Sequence, residues 1–439
     1  MSFLIDKVHV LTMNAAMDSF KDGCVAVEGD SIVAVGDRSL RDRYPGLERI
    51  DGEGGILIPG LVNAHTHSGM IPFRSLGDDS VDRLRRLIFP LEASMTAELA
   101  RASARYACCE MLLAGVTTFL DMYYFEDDIA QAVKEAGMRA FLGETVVDFP
   151  SCDSPEPHGG LGYAERFIPK WRGDELITPM VAPHAPNTNS PGKIVEARRL
   201  AERHGVPMMM HVSEMDYEVA HFRDEYGKTP IAFLDSLGLL DERFIAVHCV
   251  LANDADIDIL ARRRVPVVHC IGANTKSAKG VAPVKKMLER GVCVALGTDG
   301  PASGNTLDLF TQFDLFAKFH KTANRDRSAF PAAEIVKLGT CGAAAALGMG
   351  DRIGSIEPGK KADLTLVETR SANMFPIFDP YSVLVYSAKA ANVDSVFVNG
   401  RCLVRGKRLT GLSLEDSREE LSARMVDFRK AAESLAKSI

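Results

Sequence analysis

Hydrophobic residues recur along this chain in short runs separated by amphipathic segments, and the alternation becomes regular from about residue 56 onward. The runs are rich in β-branched or bulky side chains and have turn-forming residues on both sides, which predicts β-strands. The segments between them have helical spacing, and strands that alternate with helices form a parallel sheet. The eight predicted strands lie near Ile56–Ala64, Thr117–Met122, Met138–Gly143, Ile177–Pro183, Val206–Met210, Phe244–Val247, Val265–Val268 and Val292–Gly297.

Helix-capping residues support the helical interpretation of the connecting segments. Ser190 can cap a helix, Pro191 suits its first position, and Gly205 suits its end. Asn253 or Asp254 is expected to begin a later helix. Eight parallel strands joined by right-handed helical crossovers close into a (β/α)8 barrel of the TIM type, so the predicted fold class is α/β. An open, doubly wound sheet has the same alternation and stays an alternative.

The two ends of the chain have a different pattern, because two-residue turns at Gly29-Asp30 and Asn399-Gly400 each join a pair of predicted strands. An isolated hairpin is marginally stable, which favours one small flanking β-sandwich domain built from both chain ends. The predicted division is residues 1–55 with 355–410 for this domain, 56–354 for the barrel and 411–439 for a C-terminal helical segment. That segment is expected to pack on the body through one stripe, Leu421, Met425, Phe428, Ala432 and Leu435.

Composition narrows the range of partners. The chain has 439 residues, of which 46% are hydrophobic and 25% charged, as in an ordinary globular protein. A formal net charge of -8 gives no broad basic surface, so we expect a small-molecule substrate and no nucleic acid partner. We find no segment that resembles a signal peptide or a membrane span, and the nine cysteines form no regular framework. A cytoplasmic location without membrane association is the resulting expectation.

Candidate chemistry is concentrated where predicted strands end. His65 and His67 are two residues apart in an extended segment, so both imidazoles are expected to leave the strand on the same side. The strand ends of a barrel meet at one rim, where barrel enzymes build their active sites. Six of the eleven histidines occupy such positions: His65, His67, His184, His211, His248 and His269.

Imidazole nitrogens and a carboxylate are typical ligands of zinc and other divalent ions. We assign His65, His67, His211 and Asp299 as the metal ligands, Asp299 following the last predicted strand. Each of these residues could alternatively be a hydrogen-bonded core or turn residue. The sequence does not decide between a core and a site role for His269.

Glu214 and His248 are predicted to act beside the metal rather than bind it. Glu214 follows His211 by three residues at a strand end, and a carboxyl group there can carry protons. His248 is expected to hold the attacking water and to accept a proton. With Asp299, these residues form the predicted catalytic group. The alternative for Glu214 is an exposed carboxylate at the start of a helix.

Several ordered motifs resemble the amidohydrolase superfamily, and the resemblance covers nearly the whole chain. "GILIPGLVNAHTH" and "GSIEPGKKADLTLVE" resemble its entry and exit segments, while "MHVSE", "AVHCV", "KGVAPV" and "LGTDGPASGNTLDLF" are similar to methylthioadenosine and S-adenosylhomocysteine deaminases. The resemblance implies one metal ion, usually zinc, in a (β/α)8 barrel beside a β-sandwich. It also implies hydrolytic removal of an amino group from an aromatic ring. The ligands and catalytic residues assigned above match the family's motifs.

The resemblance assigns two further residues and shows differences in the substrate pocket. His184 matches a histidine that contacts the purine, and Glu92 matches a carboxylate that binds the ribose hydroxyls. By this resemblance, Leu161 takes the place of the family's ribose-assisting arginine, and Arg83 or Leu84 takes the place of a pocket tryptophan. The catalytic residues match the family, whereas the pocket residues differ from it.

The sequence therefore predicts a metal-dependent hydrolytic deaminase of an amino-substituted heteroaromatic, with an adenosine-type purine nucleoside as the first choice of substrate. An amidohydrolase acting on another nitrogen heterocycle, such as a cyclic amide, pterin or triazine, is the alternative. A non-catalytic barrel protein is a third. The expected cofactor is one divalent ion, Zn²⁺ first and Fe²⁺, Ni²⁺ or Mn²⁺ as alternatives. A homo-oligomer, dimer or tetramer, is expected.

Overall fold

The computed structural model describes residues 2–436, which form two sheets and the helices around them. The strands are β1 (Ser2–Leu11), β2 (Ser19–Glu28), β3 (Ser31–Asp37), β4 (Glu48–Asp51), β5 (Ile56–Pro59), β6 (Leu61–Thr66), β7 (Val116–Tyr123), β8 (Arg139–Val146), β9 (Ile177–Pro183), β10 (Met208–Val212), β11 (Phe244–His248), β12 (Val267–His269), β13 (Val294–Leu296), β14 (Leu364–Val367), β15 (Val393–Val398), β16 (Arg401–Arg405) and β17 (Arg408–Leu409).

Most of the α-helices lie between consecutive strands from β6 to β13. They are α1 (Leu40–Arg43), α2 (Phe89–Glu92), α3 (Ala97–Leu113), α4 (Glu126–Ala136), α5 (Gly160–Trp171), α6 (Pro191–His204), α7 (Asp216–Tyr226), α8 (Pro230–Ser236), α9 (Asp254–Arg263), α10 (Ile271–Lys276), α11 (Val284–Glu289), α12 (Leu309–Asn324), α13 (Ala332–Leu338), α14 (Cys341–Ala346), α15 (Pro380–Tyr386), α16 (Leu414–Arg424) and α17 (Val426–Ala436). Within residues 2–436, no helix combines the length and the hydrophobicity that a bilayer crossing requires.

The predicted (β/α)8 barrel is confirmed. Strands β6 to β13 pair in sequence order, every pair being parallel. The first and last strands also meet, because the Asp299 N–H donates to the His65 carbonyl across 3.1 Å. Buried apolar side chains from these strands pack with α14, and a second cluster fills the space between the strands and the outer helices. The carboxyl ends of all eight strands therefore face one rim.

A nine-stranded mixed sheet flanks the barrel and is formed by β1 to β5 from the N-terminal part of the chain and β14 to β17 from its C-terminal part. The two predicted hairpins are confirmed, since β2 turns into β3 at Gly29-Asp30 and β15 turns into β16 at Asn399-Gly400. The sheet folds over on itself like a sandwich, because Phe3 of β1 stacks on Phe397 of β15 with ring centroids 5.0 Å apart.

The first predicted strand is wrong in one respect. The run from Ile56 to Ala64 forms two strands, not one, and Gly60 separates them. Residues 56–59 pair with β1 and β14 of the flanking sheet, and only the part from Leu61 onward belongs to the barrel. A side chain at Gly60 would overlap Thr117, so the chain passes between the sheets where only glycine fits. The sequence pattern did not show this, because both strands are buried and apolar.

The helical predictions hold with small corrections. Helix α6 begins at Pro191 and ends before Gly205, which has φ +66°, but the Ser190 hydroxyl makes no capping hydrogen bond. Asn253 caps α9 by accepting from the Asp256 N–H. The C-terminal segment is two helices joined at Met425. From the predicted stripe, Leu421, Phe428 and Ala432 are buried, and the Phe428 ring packs on Phe73 of the barrel body at 4.8 Å.

Candidate active site

The four predicted ligands converge at the carboxyl rim of the barrel. The Nε2 atoms of His65 and His211 lie 3.2 Å apart, and Asp299 Oδ1 lies 3.2 Å from His67 Nε2 and 3.8 Å from His65 Nε2. His65 belongs to β6, His211 to β10, and Asp299 follows β13. The barrel thus brings together donor atoms that are up to 234 residues apart in sequence.

The hydrogen bonds of the imidazoles test whether this group suits a metal ion. His67 Nδ1 lies 2.5 Å from the Met122 carbonyl, and His211 Nδ1 lies 2.8 Å from the His184 carbonyl. A carbonyl can only accept, so each Nδ1 carries the hydrogen and each neutral ring presents the lone pair of Nε2 to the centre. These lone pairs and a carboxylate oxygen face one another, an arrangement that positive charge stabilises. The four residues therefore fit a divalent cation of the zinc type.

The protonation equilibria of the group lead to the same conclusion. Burial opposes ionisation of Asp299, but the hydrogen bond and charge of His67 outweigh it and hold the pKa of that carboxyl well below its usual range. For His67, burial disfavours the charged ring, yet Asp299 raises the pKa to about 9. Burial and repulsion from the neighbouring histidines lower the pKa of His65 and His211 well below the ordinary value. His67 therefore keeps a proton beside the Asp299 carboxylate. This proton supplies the positive charge that a metal ion would supply at the same place.

Glu214 and His248 lie side by side next to the predicted ligands. His248 Nε2 is 3.4 Å from Glu214 Oε1, and the Asn274 side-chain amide lies 3.1 Å from His248 Nδ1. An amide N–H that donates to Nδ1 leaves the hydrogen of the neutral ring on Nε2. His248 can then donate from Nε2 toward the site. Glu214, His248 and Asp299 oxygen and nitrogen atoms also lie within 4.8 Å of one another.

Two residues that sequence reasoning missed hold Glu214 in place. The backbone N–H groups of Ser213 and Glu214 donate to the two carboxylate oxygens of Glu218 at 2.8 and 2.9 Å, which fixes the turn after β10. The Lys279 ammonium donates to Glu214 Oε1 at 2.5 Å. Burial opposes ionisation of Glu214, but His248 and Lys279 lower its pKa below the ordinary value. Lys279 lies in the "KGVAPV" motif, whose resemblance was the only available signal.

The two predicted substrate-binding residues line the same cavity, which measures about 470 Å³ and suits a small molecule. Glu92 is 9% exposed on α2, and the Tyr124 hydroxyl donates to it at 3.5 Å. Burial raises the pKa of Glu92 to about 8, so the carboxyl is mostly protonated at neutral pH. His184 follows β9, and its Nδ1 lies 3.0 Å from the Thr188 hydroxyl. Both residues therefore line the same cavity as Glu214.

The residues at which the sequence departs from the family differ in their placement. Leu161 is buried in the packing of α5 and does not line the cavity. Arg83 does line it, but its guanidinium donates to the Leu76 and Ala302 carbonyls at 2.6 and 2.5 Å. His269 lies outside the cavity and packs 5.2 Å from the ring of His320, so the structure places it in the core.

The chain is similar to known proteins in both sequence and structure. The sequence profile of the amidohydrolase family matches residues 56–403. A 5-methylthioadenosine/S-adenosylhomocysteine deaminase from Syntrophobacter fumaroxidans is 42% identical over 94% of this chain and 95% of its own length. A 5'-deoxyadenosine deaminase from Methanosarcina barkeri is 37% identical over 98% of both chains. An adenosine deaminase from Xanthomonas campestris, solved with bound zinc, superposes with a TM-score of 0.92 at 33% identity over 98% of both chains.

Proposed function

Because the chain belongs to the amidohydrolase family, we propose that it is a metal-dependent hydrolase that deaminates adenosine-type purine nucleosides. The observation that carries this proposal is the position of Glu214, an acid beside His248 and next to the converging donors of His65, His67, His211 and Asp299. The relatives named as deaminases of 5-methylthioadenosine, S-adenosylhomocysteine and 5'-deoxyadenosine support the choice of substrate.

We place one divalent ion on the three imidazoles and the Asp299 carboxylate. The zinc bound to the related adenosine deaminase supports zinc as that ion. A divalent cation at such a site lowers the pKa of water, which makes water a nucleophile at neutral pH.

The protein's own groups manage the protons of the reaction. Glu214 takes one proton from the attacking water and gives it to the ring nitrogen next to the amino-bearing carbon, which makes that carbon electrophilic. His248, which presents its Nε2–H to the site, orients the water, and Asp299 helps to remove the second proton. The second proton passes to the amino group. The new carbon–oxygen bond forms, the carbon–nitrogen bond breaks, and the products are ammonia and the oxo heterocycle.

Glu92 and His184 are proposed to hold the nucleoside. A protonated Glu92 offers both a donor and an acceptor, which suits a ribose diol. His184 lies on the cavity wall 4.9 Å from the ring of His211, close enough for its imidazole to contact a bound purine. Removing the Glu92 carboxyl should therefore weaken the binding of nucleosides more than the binding of free bases.

The test is ammonia release by the zinc-loaded protein from a panel of aminopurine nucleosides, aminopyrimidines, pterins and triazines. We expect adenosine-type nucleosides to be deaminated with the highest kcat/KM. Ring opening of a cyclic amide without ammonia release would contradict the proposal in favour of another amidohydrolase activity. A chain that binds no divalent ion after expression with added metal would contradict both the deaminase activity and the other amidohydrolase activity.

We also propose a cytoplasmic enzyme that forms homo-oligomers. The nine cysteines have free thiols, which suits a reducing compartment. Cell fractionation and light scattering of the purified protein test these two points. Export of the chain would contradict the first, and a monomer at all concentrations would contradict the second.

A further inference from the structure

Lys279, which contacts Glu214, uses little of its hydrogen-bonding capacity within the described residues. Its ammonium carries three N–H donors, and Glu214 Oε1, at 2.5 Å, is the only acceptor that bonds to it among residues 2–436. The side chain is 19% exposed and lines the cavity. A partly buried ammonium is stabilised when further acceptors reach it, so the remaining donors are available to a bound substrate.

The other cations on the cavity wall differ from Lys279 in their contacts. Arg85 is exposed and lies over the Tyr217 ring at 4.4 Å, and Lys276 and Arg83 are bound to acceptors of the protein. The Lys276 ammonium donates to Asp78 at 2.9 Å and to Asn305 at 2.6 Å. The Arg83 guanidinium donates to three backbone carbonyls and lies 3.3 Å from Asp78. These contacts hold loops together. Only Lys279 both has unused N–H donors and contacts Glu214, the proposed proton carrier.

The position of Glu214 limits which part of a substrate Lys279 can reach. A ring nitrogen that takes a proton from Glu214 lies within about 3 Å of its carboxylate. The Lys279 ammonium, 2.5 Å from that carboxylate, then lies within about 6 Å of the nitrogen. The nitrogen has two ring neighbours, the carbon under attack and one other carbon. The carbon under attack faces the four proposed metal ligands, and Lys279 makes no hydrogen bond or ion pair with any of these ligands in the described residues. We therefore assign the other carbon and its substituent to the side of Glu214 that Lys279 occupies.

We propose that Lys279 binds an acceptor oxygen on the ring carbon beside the protonated nitrogen, so that the preferred substrates are 6-amino-2-oxopurine nucleosides. This inference rests on the proposed function, because it takes Glu214 as the proton carrier. A hydrogen at that carbon leaves the N–H donors of Lys279 unpaired. An amino group there is itself a donor, so it cannot accept a hydrogen bond from the Lys279 ammonium. A site built around a buried donor discriminates strongly against substrates that lack the matching acceptor.

Three ribosides that differ only at this carbon test the inference: isoguanosine with an oxo group, adenosine with hydrogen, and 2,6-diaminopurine riboside with an amino group. The measured quantity is the ratio of kcat/KM for ammonia release. We expect the zinc-loaded protein to prefer the oxo over the amino compound by about 30-fold or more. Lys279→Met should reduce this ratio about tenfold or more, and Lys279→Arg, which keeps the cation, should retain most of it.

Lys276→Met is the matched control, because it removes a lysine at the end of α10, three residues before Lys279, that is already bound to Asp78 and Asn305. It should leave the ratio unchanged. Lys279→Met also removes the partner of Glu214 and is expected to slow every substrate, so only the ratio is diagnostic. Calorimetric binding of the products xanthosine and guanosine gives the same comparison without turnover, and zinc content verifies that each variant is folded.

The outcomes separate this inference from the proposed function. An oxo preference that Lys279→Met abolishes in both kinetics and binding supports it. Deamination with a ratio that Lys279→Met leaves unchanged overturns the inference and leaves the proposed function standing. A wild-type protein that prefers adenosine or the amino compound also overturns it. Ammonia release from none of the three ribosides overturns the proposed function and the inference together.

Discussion

Glu214 is held from three directions by residues that come from different parts of the chain. Glu218 fixes its backbone, Lys279 binds one carboxylate oxygen, and His248 lies 3.4 Å from the same oxygen. A side chain restrained in this way loses little conformational freedom when a substrate binds. The carboxyl group itself, rather than the space it fills, is therefore what the proposed reaction requires of this position.

Glu214→Gln should abolish most turnover, because an amide of the same shape cannot carry a proton. We expect kcat to fall by about 10²–10⁴. The zinc content should stay near one per chain, since Glu214 is not among the four proposed ligands, and inductively coupled plasma spectrometry measures it. Full activity in this variant would rule out the proton role. Loss of zinc would place Glu214 among the ligands instead.

Sequence reasoning at this scale found the residues that stand at strand ends and missed those that support them. His65, His211 and Asp299 could be found because barrel topology requires strand ends to share a rim. Asn274 lies in the short helix α10 and Lys279 in the loop after it, and neither segment is long enough for a periodic pattern to indicate the direction of a side chain. Their roles follow from contacts in space that no local rule predicts.

At the scale of elements, Glu368 joins the end of β14 to the segment before β15. Its carboxylate accepts from the Ser371 hydroxyl at 2.5 Å, from the Asn392 amide at 2.9 Å and from the backbone N–H of Arg370 at 2.7 Å. Burial opposes its ionisation, but these hydrogen bonds outweigh burial and lower the pKa to about 2 from 4.5. The ionised carboxylate therefore stabilises this part of the flanking sheet.

The sign of the pH dependence follows from that shift. Because the folded-state pKa lies below the unfolded one, the stabilisation is complete above about pH 4.5 and is lost as the pH falls toward 2. Glu368→Gln should lower the free energy of unfolding by about 1–3 kcal/mol at pH 7 and by much less at pH 3. Urea unfolding of both proteins across this range measures the difference.

The exposed Glu289 offers a control, and Glu289→Gln should unfold like the wild type at each pH. A difference between wild type and Glu368→Gln that stays constant from pH 7 to pH 3 would contradict the assigned role of the charge. That result would instead indicate loss of packing.

The division of the first predicted strand shows where sequence patterns fail for elements. Hydrophobicity and β-propensity continue from Ile56 to Ala64, so a single strand was the natural interpretation. The break at Gly60 arises because the two halves of the run belong to different sheets. The first half pairs with β14, which lies about 300 residues away in the sequence. By contrast, both hairpins were predictable because their turns are local.

At the scale of the whole molecule, a buried ion pair joins the barrel to the flanking sheet. Arg139, at the start of β8, is 1% exposed and donates to Asp363 and to the Asn399 side chain of the β15–β16 turn. The Asn399 N–H in turn donates to Asp363 at 2.8 Å. The Asn399-Gly400 turn, which the sequence predicted as a hairpin turn, thus also forms a contact between the barrel and the flanking sheet.

Arg139→Met should destabilise the protein by about 3–5 kcal/mol, because the Asp363 charge stays buried without its partner. Arg139→Met combined with Asp363→Leu should recover part of the loss, since an apolar pair avoids the unpaired charge. Arg262→Met, which removes an exposed ion pair with Asp235, should cost less than about 1 kcal/mol. Denaturant unfolding of the three variants measures these values, and equal losses in both single variants would refute the coupling.

The shared sheet also determines the order in which a newly made chain can complete its structure. Strand β5 has β14 as its neighbour, and about 300 residues must be synthesised between them. At about 5–20 residues per second, a ribosome leaves the apolar side of β5 open for roughly 15–60 s. Ribosome-bound chains halted at residue 350 should therefore be cleaved by protease within residues 2–59, and those extended past residue 436 and the exit tunnel should resist cleavage there.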